Sequence, residues 1–394
     1  MNTPEAGTSL VAEVEHVALS DPDISTTELD LVAAVLRSPH LSSGNTVAAF
    51  EEQFAAYVGR DHGVAVASGT LGAWLGLRAL GIGAGDEVIA PAYAWHQIAH
   101  AVVLAGATPV LADIDYWSHC VAPKAVVEKI GPATRAIIAG NTNGHPAAWR
   151  ELTALARARR LALIEDSTEA IGSRYLGRRV GGFGDIAVFD FSQPSALCCG
   201  EGGMVVTDDP KLATELRYLR ARSLADRRSV SVGSRVPLQT AMSELTAALG
   251  LAQLARVVQI LERRKRVESW YRDEMQSFEG IKPPYEAPDI DEVHWMLYVV
   301  HLGTRFTASA RNQIVDDLET QGIETAAFCL PLHRQFAYAE RSAARGGLPT
   351  TERIADRSLA LPFHGHLDAE RVKYIVKTLK DASVNVGAGA AIYL

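Results

Sequence analysis

The sequence predicts an α/β protein: a large domain built on a mostly parallel sheet, followed by a smaller C-terminal α+β domain. Three observations predict it. In the first half of the chain, short apolar runs alternate with helical patterns, the signature of strands joined through crossover helices. Past Asp209 the helical patterns become much longer. From Met296 onward, strand-like and helical runs mix again.

Taken in order, residues 27–36 and 47–57 have helical periodicity. Residues 64–67, two valines alternating with alanines, form a brief strand, and Ser68-Gly69-Thr70 opens a helix over 71–80. Strands at 87–90 and 108–111 flank a helix at 98–104. Further strands follow at 135–139, 161–164 and 186–191. Helical patterns cover 211–221, 243–250 and 251–278, and the last part carries a strand over 296–302 and helices over 308–321 and 369–379. The expected division is a large domain over 1–250 with an N-terminal arm, then a long linking helix and small domain over 251–394. The first ~15 residues and the glycine- and alanine-rich stretch 387–391 read as loosely ordered ends. Repeats and low-complexity tracts are absent from the sequence.

The 394 residues are 48% hydrophobic and 21% charged, an ordinary globular composition. A net charge of −8 gives no reason to expect nucleic-acid or membrane partners. The basic run 217–228, with Arg220, Arg222 and Arg227, reads as a solvated helix end or loop in preference to an anion site. Residues 1–11 are neither basic nor apolar enough for a signal peptide. No run approaches the ~20 apolar residues of a membrane span. Cys120, Cys198, Cys199 and Cys329 lack the spacing of a zinc site or disulfide scaffold, so no metal and a reducing cytoplasm are expected. Cys198 and Cys199 leave a reactive thiol open, though burial is the commoner fate of cysteine.

Three strand-end loops point to one kind of ligand. At Ser68-Gly69-Thr70 a small residue lets backbone amides approach an anion, the Thr70 hydroxyl adds a donor, and the helix dipole favours negative charge. The same triplet is also an ordinary helix entry. In Pro91-Ala92-Tyr93-Ala94-Trp95-His96 the Trp95 indole could stack on a flat heteroaromatic ring, or simply pack in the core. Asp166 closes the strand at 161–164, and Glu169 lies three residues beyond. An acidic pair there is otherwise a routine helix cap.

Read together, these segments resemble the nucleotide-sugar aminotransferases, the DegT/StrS group of pyridoxal-phosphate enzymes of fold type I. The similarity extends over about residues 17–379 and includes Gly81-Ile82-Gly83-Ala84-Gly85-Asp86, Ala105-Gly106-Ala107-Thr108-Pro109, Gly200-Glu201-Gly202-Gly203, Pro331-Leu332-His333-Arg334-Gln335 and Leu361-Pro362-Phe363. The resemblance implies a fold type I large domain, a homodimer with shared active sites, and a nucleotide-sugar or aminocyclitol substrate. It implies that Gly69 and Thr70 meet the cofactor phosphate, Trp95 the ring face, Asp166 the pyridine nitrogen and Glu169 the ring oxygen. His333 is a substrate contact or a loop histidine closing the domain interface.

The chain departs from the family where the chemistry is concentrated. In Phe189-Asp190-Phe191-Ser192-Gln193-Pro194-Ser195, Ser195 stands where the family has the Schiff-base lysine, and Asp190 where it has a phosphate-binding serine. A hydroxyl neither forms that imine nor shuttles protons well at neutral pH. Two like charges at ~4 Å repel by about 1 kcal/mol even in bulk water, so a carboxylate beside a phosphate is unfavourable. Gln239 replaces an asparagine that reaches the neighbouring subunit's phosphate, and Ala241 replaces an arginine.

Three readings follow. The chain is an enzyme that has lost lysine-dependent transamination and runs other chemistry in the old pocket, with Ser195, His96, Glu169 and Asp190 as candidate catalytic groups and His333 beside the substrate. Alternatively, it holds pyridoxamine phosphate non-covalently and dehydrates or deaminates a keto-sugar, with His96 as base. In the third, it is a non-catalytic subunit of an active paralogue. Pyridoxal or pyridoxamine phosphate is thus expected to be bound non-covalently or not at all.

Overall fold

The computed structural model describes residues 16–42, 44–95, 97–221, 238–276, 280–339 and 346–391. Strands β1 (His62–Val66), β2 (Glu87–Pro91), β3 (Thr108–Ala112), β4 (Thr134–Gly140) and β5 (Ala162–Asp166) come first. The two-residue strands β6 (Arg174–Tyr175) and β7 (Arg178–Arg179), then β8 (Ile186–Asp190) and β9 (Gly203–Thr207), follow. Seven of these form one sheet in the order β1-β9-β8-β5-β4-β2-β3. Strand β9 runs antiparallel to both neighbours, and the other pairs are parallel. This is the α/β fold with a mostly parallel sheet that the alternation predicts.

The strands are apolar on both sides because both faces are covered. Val88, Ala90 and Ile138 join one cluster, while their neighbours Ile89, Ile137 and Ala139 join another across the sheet. That period-two split is what buried parallel strands require. Helices α1 (Thr26–Leu36), α2 (Asn45–Val58), α3 (Gly69–Ala79), α4 (Gln97–Leu104), α5 (Pro123–Lys129), α6 (Trp149–Arg159) and α7 (Pro210–Arg220) accompany these strands.

Helix α8 (Glu244–Met275) is continuous, so the two patterns at 243–250 and 251–278 are one element. Gly250 is a packing residue inside it: a Cβ there would lie 2.7 Å from the Phe50 ring and 2.8 Å from Cys199 Sγ. The boundary expected at 250/251 therefore falls within a helix. By length and composition alone α8 could cross a membrane, but most of its apolar stretch is buried, and it packs on α1 and α2.

Beyond α8, strands β10 (Ile281–Lys282), β11 (Ile290–Glu292), β12 (Tyr298–Leu302), β13 (Ala326–Ala327) and β14 (Ser358–Leu361) appear. A second, antiparallel sheet has the order β10-β12-β14-β13, while β11 adds to the β6–β7 hairpin. Helix α9 (Ala308–Thr320) and the final helix Ala369–Ala391 pack together beside this sheet. The final helix extends past the expected end at 379 through 387–391, correcting the expectation of a loose tail there. Its alanines favour helix strongly enough to carry two glycines.

Candidate functional site

Because β1, β2, β5 and β8 are parallel, their carboxyl ends share one edge of the sheet, where open α/β sheets form ligand crevices. A cleft of about 330 Å³ opens there. Its walls include Ser68 and Thr70 after β1, Trp95 and Gln97 after β2, and Thr168 after β5. Asp190, Ser192, Gln193 and Pro194 come from the end of β8, Glu201 from the turn into β9, and Met296 from beside β12.

The N-terminus of α3 forms the floor. Ser68 is its N-cap, with Oγ accepting from the Leu71 N–H at 3.3 Å. The Gly69 N–H donates to Asp190 Oδ2 at 2.6 Å, and the Ser192 N–H to Asp190 Oδ1 at 2.8 Å. Asp190 is 4% exposed, so its carboxylate sits firmly against the positive end of the helix. Two glycines permit this approach. A Cβ on Gly69 would lie 2.6 Å from Asp190 Cβ, and one on Gly203 would lie 2.6 Å from the Gly69 nitrogen.

Asp166 ends β5 and Glu169 stands on the loop beyond it, on either side of Thr168, though neither is itself among the residues that line the cleft. Burial pushes the Asp166 carboxyl up to about 6, with the nearby charges of Asp190 and Glu165 acting in the same direction and the Thr168 hydrogen bonds opposing them. The Thr168 N–H donates to Asp166 Oδ1 at 3.1 Å. Burial raises Glu169 further, to about 8; the Asn143 N–H donated to its Oε2 only partly offsets this. The two carboxyls thus titrate on opposite sides of neutrality, the arrangement that separates a proton donor from a carboxylate.

Trp95 meets Phe328 edge-on, with ring centroids 6.3 Å apart. Its Nε1 and the Gln97 Oε1 are buried atoms with no hydrogen-bond partner among the described residues. Ser195 is half-buried beside the cleft, and its Oγ accepts from the Leu197 N–H at 3.2 Å. No lysine occurs between Lys129 and Lys211 in the sequence. Among the described residues lining the cleft there is neither lysine nor arginine.

Other candidates lie apart from these walls. Gln239 is exposed on the segment that follows residues 222–237. His333 Nε2 lies 3.4 Å from Glu352 Oε1, and burial lowers its pKa. His96, Arg222 and Arg227 lie outside the described residues, as do residues 1–15 of the N-terminal arm. Arg220 is tied to Glu51 and to the Ala65 carbonyl. Cys198 and Cys199 are buried, which raises both thiols above their ordinary value and leaves little thiolate.

Sequence reasoning missed Gln97, Ser192, Thr168, Glu201 and Met296. Gln97 follows the quoted loop directly, so its position beside Trp95 was a usable signal. Met296 is brought in by long-range packing and carried none.

The DegT/DnrJ/EryC1/StrS aminotransferase family model matches residues 22–380. The chain belongs to that family. GDP-perosamine synthase of Caulobacter vibrioides is 32% identical over 376 residues, covering 95% of this chain and all of that protein. The structure of DesV from S. venezuelae in complex with a ketimine intermediate is 32% identical with a TM-score of 0.85, covering 93% of this chain and 98% of that one. The aminotransferase TlmJ from Streptoalloteichus hindustanus is 29% identical with a TM-score of 0.87, covering 94% of this chain and 100% of that one.

Proposed function

We propose that this protein is an aminotransferase-fold enzyme acting on a sugar or aminocyclitol, and that it has left lysine-dependent transamination for other chemistry in the same cleft. One observation carries the reading. Ser195 stands at the Schiff-base position that the family resemblance implies, and no described lysine lines the cleft. A hydroxyl forms no imine, and this one is already engaged by the Leu197 N–H. The residues present therefore do not fit a covalently held pyridoxal phosphate, and no step is routed through it. Kinship with GDP-perosamine synthase supports the sugar class, and the family resemblance supports a homodimer with shared sites.

What remains can move protons. Glu169, raised to about 8, is mostly protonated at neutral pH and suits a general acid. Asp166, raised only to about 6, is mostly ionised there and suits a base or a partner for a substrate cation. Trp95 supplies an apolar face in the wall of the cleft.

Absorbance and turnover test this reading. The purified protein mixed with pyridoxal phosphate is expected to show no Schiff-base band in the visible, and no glutamate-dependent amination of a keto-sugar. Ser195→Lys is expected to gain the band only if the rest of the cleft accepts the cofactor. Ordinary amination by the unaltered chain would refute the proposal.

A further inference from the structure

We propose that the Asp190 carboxylate is a built-in anion occupying the seat at the start of α3, and that the cleft consequently takes a phosphate-free ligand rich in hydrogen-bond donors. The inference relies on the proposed function only in placing the ligand in this cleft. Helix N-termini attract anions because their first N–H groups are unpaired and the dipole is positive there. Here two of those groups are spent, Gly69 N–H on Asp190 and Leu71 N–H on the Ser68 hydroxyl. A phosphate entering the seat would have to expel a buried carboxylate or lie beside it. Among the described lining residues there is no cation to offset the added charge.

The rest of the cleft asks for donors. Asp190 and Glu201 line it, with Asp166 close enough to Asp190 to feel its charge. Among the described residues, the buried Gln97 Oε1 is an acceptor without a donor, and the buried Trp95 N–H is a donor without an acceptor. A ring bearing both an ammonium and a hydroxyl group and lying against Trp95 would satisfy both, the ammonium donating to Gln97 Oε1 and the hydroxyl oxygen accepting from the Trp95 N–H, and its positive charge would meet carboxylates instead of repelling them.

Pyridoxamine and pyridoxamine 5′-phosphate form a matched pair of probes, since both carry a ring and an amine and only one carries the phosphate. Titration calorimetry of the full-length protein with each is the experiment. The unaltered protein is expected to bind pyridoxamine at least as tightly as its phosphate ester. Asp190→Ser, which vacates the seat, is expected to tighten the ester by roughly tenfold or more while leaving pyridoxamine unimproved. Asp190→Asn keeps an acceptor for Gly69 and removes the charge, so an intermediate gain is expected, and this variant serves if the serine form folds poorly. A preference of the unaltered protein for the ester by about tenfold, or no gain in either variant, would overturn the inference. Tight ester binding without a Schiff-base band would do so while leaving the Ser195 argument standing.

Discussion

At the scale of single residues, Glu169 has the most to reveal. Its carboxyl is 9% exposed and receives one backbone N–H, so burial outweighs the hydrogen bond and the neutral acid is favoured. Its ordinary value is 4.5 and its folded value about 8. A carboxyl raised on folding contributes its stability fully below the unfolded value and loses it as pH rises towards the folded one. Between pH 4.5 and 8 the native state thus holds a proton that the unfolded chain releases. Glu169→Gln keeps an oxygen for the Asn143 N–H but cannot ionise. Its melting temperature is expected to match the parent near pH 5 and to exceed it increasingly towards pH 8, by an amount corresponding to a few kcal/mol. Asp166, raised to about 6, contributes a slope of the same sign that ends earlier. Parallel melting curves at both pH values would show that Glu169 is already ionised in the folded protein.

Among the elements, helix starts show how distant residues complete local structure. Helix α2 begins at Gly44, which offers no side-chain cap. The Glu244 carboxylate serves instead, accepting from the N–H groups of Gly44 at 2.7 Å, Thr46 at 2.9 Å and Val47 at 3.3 Å. It is 2% exposed, so these bonds are shielded from water. Glu244→Ala is expected to cost about 2–4 kcal/mol, read as a lower urea midpoint at unchanged slope. A change below about 0.5 kcal/mol would mean that water caps α2 equally well. Asp190 caps α3 by the same device.

The elements themselves were largely legible. Strands β1 to β5 and β8, with helices α1 to α4 and α7, fall within a few residues of their apolar patterns because those patterns repeat at the right period. Strand β9 is not among the strands read from the sequence, and nothing local in Gly203–Thr207 signals its reversed direction. The seven-residue α5 and the eleven-residue α6 are not among the elements read from the sequence. Neither carboxylate cap could be read, since Asp190 and Gly69 are distant in sequence, as are Glu244 and Gly44. Ser195 reads as a departure only through the family resemblance, which fixes its place in a collinear motif. What Asp190 does there required knowing that β8 ends beneath α3.

For the molecule as a whole, α8 links the two sheets, and Arg264 is the tie. Its guanidinium donates to the carbonyls of Phe363 at 3.0 Å, Trp295 at 3.0 Å and Met296 at 2.6 Å, with the Phe363 ring 4.6 Å away. Burial lowers its pKa to about 10, still high enough to hold the charge at neutral pH. On the same helix, Arg263, the preceding residue, and Arg256, about two turns earlier, pair with Asp23, and Arg256 also pairs with Glu28, fastening the chain ahead of α1 and α1 itself. Met296 is both an Arg264 partner and a wall of the cleft, so the tie holds the small sheet's edge against the site. Arg264→Met should retain much of the packing but leave three buried carbonyls short of a donor, at an expected cost of about 2–4 kcal/mol. Arg264→Lys keeps the charge without the planar fork, and is expected to recover only part of the loss. Both variants should also weaken ligand binding in the cleft by several-fold at temperatures where they remain folded, because Met296 loses its anchor. Unchanged binding in a destabilised Arg264→Met protein would place the coupling between the two sheets elsewhere along α8.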